Sequence, residues 1–423
     1  MSPTPRPLFR LVYFWRFTLI GSTYPLMALY VKEVFGTQTA VGLMYAAISL
    51  MSLLTMQMWG YAGDMLVAKR TILLVNVACA ISALFVSGFV AWFPLFLMLQ
   101  LVMAFFAVPF DPILNASVMN SRHGRAHFSE IRSWGTLGFL LALAVASTLA
   151  DWHGTPWVAF PVNFAGGVVF WLTLWLIRTP HRPPAVRTPF LHVQRFFLLQ
   201  PHFAWFFATV LLNRMAHEPA VIYQAFVAPD LATEGWHYRA AGSLYFIGAF
   251  AELPVFFFGD RIVRRIGEVH CLMISVVLAA IRFALIPTVG LWGLMGLQTL
   301  HAASFGLFYI AGITWVNRRT PDSLRASGQT TYMMAGQIAA LCGLPLVGWI
   351  HDVAGHENLA WIFWGLAALM ASTLFGFIRV ARFSEAPIYH VPETETANAA
   401  LPQHIAPITP GSAPPPEPRE PHS

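Results

Sequence analysis

The chain has 423 residues, of which 57% are hydrophobic and only 10% charged, with a formal net charge of +6. So few polar groups cannot clothe a water-soluble globule, and the apolar runs are continuous rather than alternating, which argues against a transmembrane β-barrel. The positive charge calls for no nucleic-acid partner, because basic loops against an anionic lipid leaflet account for it.

The expected fold is an all-α polytopic membrane protein. A helix needs about 20 apolar residues to cross the hydrocarbon core, and twelve such runs follow one another at 11–34, 41–61, 71–92, 95–119, 131–150, 156–177, 202–227, 240–259, 269–290, 292–316, 326–350 and 358–379. The first run is too long for a cleavable signal and is followed by Lys32-Glu33, not by a small-residue cleavage site. It is expected to stay.

Of the 25 Lys and Arg, 20 fall in the termini and the even-numbered loops. Basic residues mark the cytoplasmic side, so both termini are expected in the cytoplasm, with the chain in a bacterial inner membrane. The longest internal connection, 178–201, is basic and Pro-rich and divides the runs six and six. This predicts an N-terminal bundle (1–177), a cytoplasmic central loop (178–201), a C-terminal bundle (202–380) and a disordered Pro-rich tail (381–423).

The halves echo each other. Asp64 and Asp260, Arg16 and Arg214, and Arg132 and Arg325 stand 196, 198 and 193 residues apart. Three similar offsets indicate duplicated six-helix units, a secondary-transporter design with its site between the halves near the bilayer midplane. The expected partners are a small-molecule substrate, protons and the bilayer, and a monomer is expected to suffice.

Each ionisable group inside an apolar run costs roughly 2.5–3.5 kcal/mol on insertion scales. Arg16, Asp111, Arg132, Arg214, Glu218, Glu252, Arg282 and His301 are therefore the residues to explain. Asp111 sits between Pro109 and Pro112, where the helix must bend, and either lines a cavity or pairs with Arg132. Arg214, His217 and Glu218 share one face at i, i+3 and i+4, ahead of Pro219. There Arg214 and Glu218 either neutralise each other or make Glu218 a titrating carboxylate, and His217 either relays a proton or makes a local hydrogen bond. Glu252 has no basic residue one turn away in its own helix and is the leading proton-coupling residue, with Glu218 second. Arg16, near the start of its run, can reach the inner surface by snorkelling. Gln298 with His301, and Gln329 with Tyr332, are polar pairs suited to a small ligand or to helix packing. Trp92 and Trp157 are expected as interface anchors.

Cys79, Cys271 and Cys342 fall within runs and lack metal-ligand spacing, so no metal site or cofactor is expected. No nucleotide-binding loop, HExxH pair or nucleophile elbow occurs, and the chain is not expected to be an enzyme.

Gly42 to Leu54 leading into Gly60, Asp64, Lys69 and Arg70 resembles the second span and following loop of the major facilitator superfamily. Phe128–Gly135 resembles its loop into span five. Arg282, Gln298 and His301 resemble the C-terminal half of the branch holding lactose permease, nucleoside:proton symporters and phenylpropionate transporters. The likeness covers about residues 10–380 and implies two rocking six-helix bundles. It implies a substrate-binding role for Arg132, with Asp111 the only span-four carboxylate, and a coupled Arg282–His301 pair. Ser304 stands where lactose permease has its acid one turn after the His, and Glu252 lies about a turn later than the span-eight acid. The Gly60, Asp64, Lys69 and Arg70 loop, with its repeat counterparts Asp260 and Arg261, reads as a gating and packing element, with a merely topological role for Lys69 and Arg70 as the alternative. The expected function is proton-coupled uptake of a small organic solute such as an aromatic carboxylate, nucleoside or sugar. Substrate-binding residues are then Asp111, Arg132, Arg282, His301, Gln298, Arg214 and His217, with Glu252 and Glu218 for the proton. Proton-driven efflux and a non-transporting membrane sensor are the rival expectations.

Overall fold

Proline and glycine divide the apolar runs into helical pieces. The computed structural model describes residues 6–65, 69–120, 128–177, 197, 199–320, 325–355 and 358–383, and all regular structure among them is helical. The first half comprises α1 (Arg6–Thr23), α2 (Leu26–Phe35), α3 (Gln38–Met65), α4 (Lys69–Ser87), α5 (Phe93–Ala107), α6 (Phe110–Asn120), α7 (Phe128–His153) and α8 (Ala159–Leu174). The second comprises α9 (Pro201–Asp230), α10 (His237–Ile266), α11 (Glu268–Leu285), α12 (Leu291–Leu297), α13 (Leu307–Arg319), α14 (Arg325–Ala354) and α15 (Leu359–Arg382).

Helices occupy all twelve expected positions, and among the described residues ten segments are long and apolar enough to cross a membrane. The other two positions are lowered in hydropathy by polar and charged residues. One is α1–α2, with Arg10 and Arg16, interrupted at Tyr24-Pro25; the other is α9, with Arg214, His217, Glu218 and Gln224. The central connection from 178 to 196 and the tail from 384 lie outside the described residues.

Two expected boundaries move. α3 continues to Met65 and α10 to Ile266, so Gly60, Asp64, Asp260 and Arg261 are helical rather than in loops. The apolar run ends where the lipid ends, whereas the helix continues as long as its backbone bonds do. At the span ends, the Trp157 indole N–H donates to the carbonyl of Gly88 at 2.8 Å and Trp92 is 66% exposed. Gln329 donates to Asn317 at 2.8 Å, and Tyr332 is buried against Phe206, so these two do not form a ligand-facing pair.

The α5–α6 break shows how a proline opening is filled. Pro109 has no N–H for the carbonyl of Phe105 one turn earlier, and the indole N–H of Trp59 on α3 takes it at 2.7 Å. α1 and α7 cross with their backbones touching. A Cβ on Gly138 would lie 2.1 Å from the carbonyl oxygen of Phe14, and one on Gly21 would lie 2.2 Å from that of Phe139. Small residues allow this approach where lipid supplies no hydrophobic drive. Gly138→Leu is expected to force the helices apart at a cost of about 1–3 kcal/mol, read as a lower melting midpoint in detergent; an unchanged midpoint would contradict the crossing.

α3 packs on α14 and α7 on α10, joining the halves. One buried core runs through the second bundle and into the first at a single end, from Leu26–Val31, Val41, Met44 and Leu143 to Tyr223 and Leu244. The rest of the first bundle keeps a separate core around Phe9, Val12, Leu73, Phe110, Ile131 and Phe170. The bundles therefore meet at the end that holds the odd-numbered loops and diverge towards the basic end. Exposed Leu54, Phe89, Trp92, Trp361 and Phe375 face outward, as lipid contact requires.

Candidate functional site

The first bundle contributes two rungs between α1 and α6. Tyr13 and Arg16 lie one turn apart on α1, as do Asp111 and Asn115 on α6. Arg16 grips Asp111 with two bonds, Nε to Oδ1 at 3.1 Å and Nη2 to Oδ2 at 3.0 Å, and the Tyr13 hydroxyl bonds Asn115. Arg16, not Arg132, is thus the partner of Asp111, and it is buried rather than snorkelling. Asp111 is 45% exposed, so the pair is worth about 1 kcal/mol rather than the several of a dry one. A double-mutant cycle of Arg16→Gln and Asp111→Asn on thermal stability should return a coupling of that size; additive single effects would dissolve the pair.

Arg132 is left differently. It is exposed, its guanidinium lies 4.1 Å from the centre of the Phe17 ring, and no carboxylate partner is found among the described residues. It faces the separation between the bundles, within electrostatic reach of Tyr309 on α13 in the opposite half, which Arg214 also reaches.

The second bundle contributes a connected chain. Arg282 on α11 is wholly buried. Its Nη2 donates to Gln224 Oε1 at 2.9 Å and to Gln298 Oε1 at 2.7 Å, while Nη1 meets His301 Nδ1 at 2.9 Å. A guanidinium can only donate, so Nδ1 must accept and the ring proton must sit on Nε2. That nitrogen stands 3.0 Å from Glu252 Oε1 on α10. The result is a directed chain from Arg282 through neutral His301 to Glu252, with the imidazole tautomer fixed by its neighbours.

His301 sits where the helix changes pitch. A 3-10 turn over Gln298–Leu300 runs into a π-helical stretch over Ala302–Gly306 before α13 begins. Such irregular turns are frequent at functional positions. Phe305, in the π stretch, stacks on His301 at 5.2 Å and on His217 at 5.3 Å. Arg214 rests 5.2 Å from the Phe305 ring and meets Glu218 at 3.4 Å through a single bond. His217 is 4% exposed and both its ring nitrogens lack a described partner. At the joined end, Tyr24 of the first bundle closes over this region edge-on to Tyr245 of the second, 5.0 Å away.

Two expectations change here. Arg282 and Gln298 are 0% and 1% exposed in this conformation, with Arg282 Nη1 and Nη2 and Gln298 Oε1 engaged among Gln224, Gln298 and His301, while Arg282 Nε has no described partner. They hold His301 from within the core of the bundle. Of the gating residues, Gly60, Asp64 and Lys69 have side chains outside those described; Arg70 lies on Trp175 at 4.9 Å, and Asp260 and Arg261 are exposed. Sequence reasoning left Tyr13, Arg16, Asn115, Gln224 and Phe305 out of the site. Arg16 carried the signal of a charge inside an apolar run and Phe305 its position one turn after His301, whereas Tyr13, Asn115 and Gln224 are uncharged and stand out less.

Residues 8–364 match the MFS_1-like family. The chain belongs to that family. As a major facilitator it is an integral membrane transporter rather than an enzyme, like its relatives. It is 22% identical to a maltose permease of Geobacillus stearothermophilus over 348 residues, covering 81% of this chain and 86% of that one. It is 25% identical to a probable 3-phenylpropionic acid transporter of Escherichia coli (strain K12) over 376 residues, covering 86% and 94%. Among solved structures, the nucleoside transporter NupG superposes with a TM-score of 0.77 at 19% identity, over 90% of this chain and 99% of the other. This major facilitator places buried charges on both bundles, with Arg132 lacking a carboxylate partner among the described residues and Glu252 at the end of a hydrogen-bond chain.

Proposed function

We propose that this transporter is a proton-coupled symporter that imports a small organic carboxylate, an aromatic acid before a nucleoside or a sugar. The observation that carries the reading is the Arg282–His301–Glu252 chain opposite Arg132, which has no carboxylate partner among the described residues. With Glu252 ionised, the chain balances the charge of Arg282. A proton on Glu252 removes that balance and leaves one positive charge beside the cavity, which favours an anion. Anion and proton thus assist each other's binding, and the assistance is reciprocal. Arg132 supplies a planar donor pair for the carboxylate, and Phe17, Phe305 and Tyr309 supply rings for an aromatic body. The probable phenylpropionic acid transporter among the relatives supports the same class.

On this reading the basic end faces the cytoplasm of a bacterial cell, both termini are cytoplasmic, and the conformation is inward-facing. Glu252 carries the proton, with Glu218 as the second candidate for that role. Arg282 and Gln298 position His301, and Asp111, Arg214 and His217 shape the cavity. Alternating access then follows from rocking the bundles about this site, with one chain sufficient.

The test is uptake into proteoliposomes under an imposed pH gradient, across aromatic carboxylates, nucleosides and disaccharides. Accumulation of the acids that collapses with a protonophore supports the proposal. Proton-driven expulsion of solute, or accumulation of a neutral class alone, would overturn it.

A further inference from the structure

At the end where the bundles meet, two carboxylates are used in the same way, beside a third, Glu33 on α2, which accepts from the Tyr238 hydroxyl at 2.9 Å. Asp352, in the last turn of α14, reaches across to the first turn of α3. Its Oδ1 accepts the Gln38 N–H at 2.8 Å, and its Oδ2 accepts the Thr39 N–H at 2.8 Å and the Thr39 hydroxyl at 2.5 Å. Asp151, in the last turn of α7, reaches across to the first turn of α10. Its Oδ1 accepts the Tyr238 N–H at 2.7 Å, and its Oδ2 accepts the Arg239 N–H at 3.0 Å and Nε–H at 2.8 Å.

Each acid therefore takes two backbone amides and one side-chain donor from the other bundle. The arrangement is reciprocal: the first half lends an acid to a helix of the second, and the second lends one back. The acids stand 201 residues apart, close to the offset of the sequence repeat. First-turn amides have no partner within their own helix, and a negative charge there is further favoured by the helix dipole. In both cases the cap comes from the opposite bundle, so separating the bundles at this end strips both helices and leaves both acids without their donors. Gly348, whose Cβ would lie 2.5 Å from the Gln38 carbonyl, keeps α14 close enough for the Asp352 cap.

We propose that Asp151 and Asp352 form a paired latch that sets the balance between the two orientations of the bundles, by capping helices across the interface only when this end is closed. The inference rests on the alternating-access reading. Because the bundles move as bodies, both caps break in one step, and their contributions add in a single equilibrium rather than acting as two local frays.

The experiment places spin labels at Trp92→Cys and Trp292→Cys, exposed positions (66% and 77%) at the closed end of opposite bundles. Cys79, Cys271 and Cys342 are replaced by Ala, and the label separation is measured without substrate. Asp352→Asn and Asp151→Asn should each enrich the longer separation about three- to tenfold, and the double variant about ten- to a hundredfold. Thr39→Val, which removes one donor and leaves the acid intact, should shift the balance the same way by less. Glu234→Gln, an exposed acid at the same end, should not shift it. A parent that shows two separations whose proportions the Asp variants leave alone, or that Glu234→Gln shifts equally, overturns the latch while transport stands. A single separation common to every variant overturns the latch together with the alternating-access reading beneath it.

Discussion

Glu252→Gln is expected to abolish accumulation of substrate against its gradient while leaving exchange of internal for external substrate intact. The amide is nearly isosteric and its oxygen still accepts the Nε2–H of His301, so the chain from Arg282 keeps its shape. Only the ability to take up and release a proton is lost. With one proton per substrate, the parent can accumulate up to about tenfold per pH unit of gradient, since one unit is about 1.36 kcal/mol. The variant should settle near equal concentrations inside and out. Counterflow and net uptake measured on the same vesicles separate the two effects. Full uphill uptake by Glu252→Gln would move the proton to another group, and Glu218→Gln would then be the variant to examine.

Arg132→Ala is expected to weaken binding of a carboxylate substrate by about 10- to 100-fold, the scale of losing a charge-assisted bond of about 1.5–3 kcal/mol. The neutral amide analogue of the same substrate should bind the variant and the parent alike. Arg132→Lys should recover part of the loss, because an ammonium keeps the charge but not the planar fork. Two of the buried guanidiniums are already engaged, Arg16 by two bonds to Asp111 and Arg282 by Gln224, Gln298 and His301. Competition binding with the acid and its amide reads this directly. Equal losses for both ligands would show that Arg132 supports the fold of the cavity rather than the anion.

Much of the architecture was legible in the sequence because lipid imposes a blunt rule. A run of about 20 apolar residues has few alternatives to a membrane helix. The spacing of Asp64 from Asp260 and of Arg16 from Arg214 exposed the duplication. The charged site residues stood out for the same reason, since each is costly where it sits. What sequence does not encode locally is which helices touch and at what height. Asp111 had two arginines to choose from, and the close crossing of α1 and α7 at Gly21 and Gly138 accompanies the pairing with Arg16. Gln224 escaped notice because an uncharged amide costs little and stands out from no background, yet it accepts from Arg282. Asp151 and Asp352 were invisible as functional groups: an acid at the end of an apolar run reads as ordinary surface until the opposite bundle is placed against it.

Proton movement on addition of substrate bears most directly on the central claim. Proteoliposomes in weak buffer, with no imposed gradient, are given a polar aromatic carboxylate while a pH electrode follows the outer medium, and protein-free vesicles are subtracted. The account predicts external alkalinisation that tracks substrate entry and is missing in Glu252→Gln. Substrate entry with no proton movement, or with movement that survives in Glu252→Gln, would contradict it.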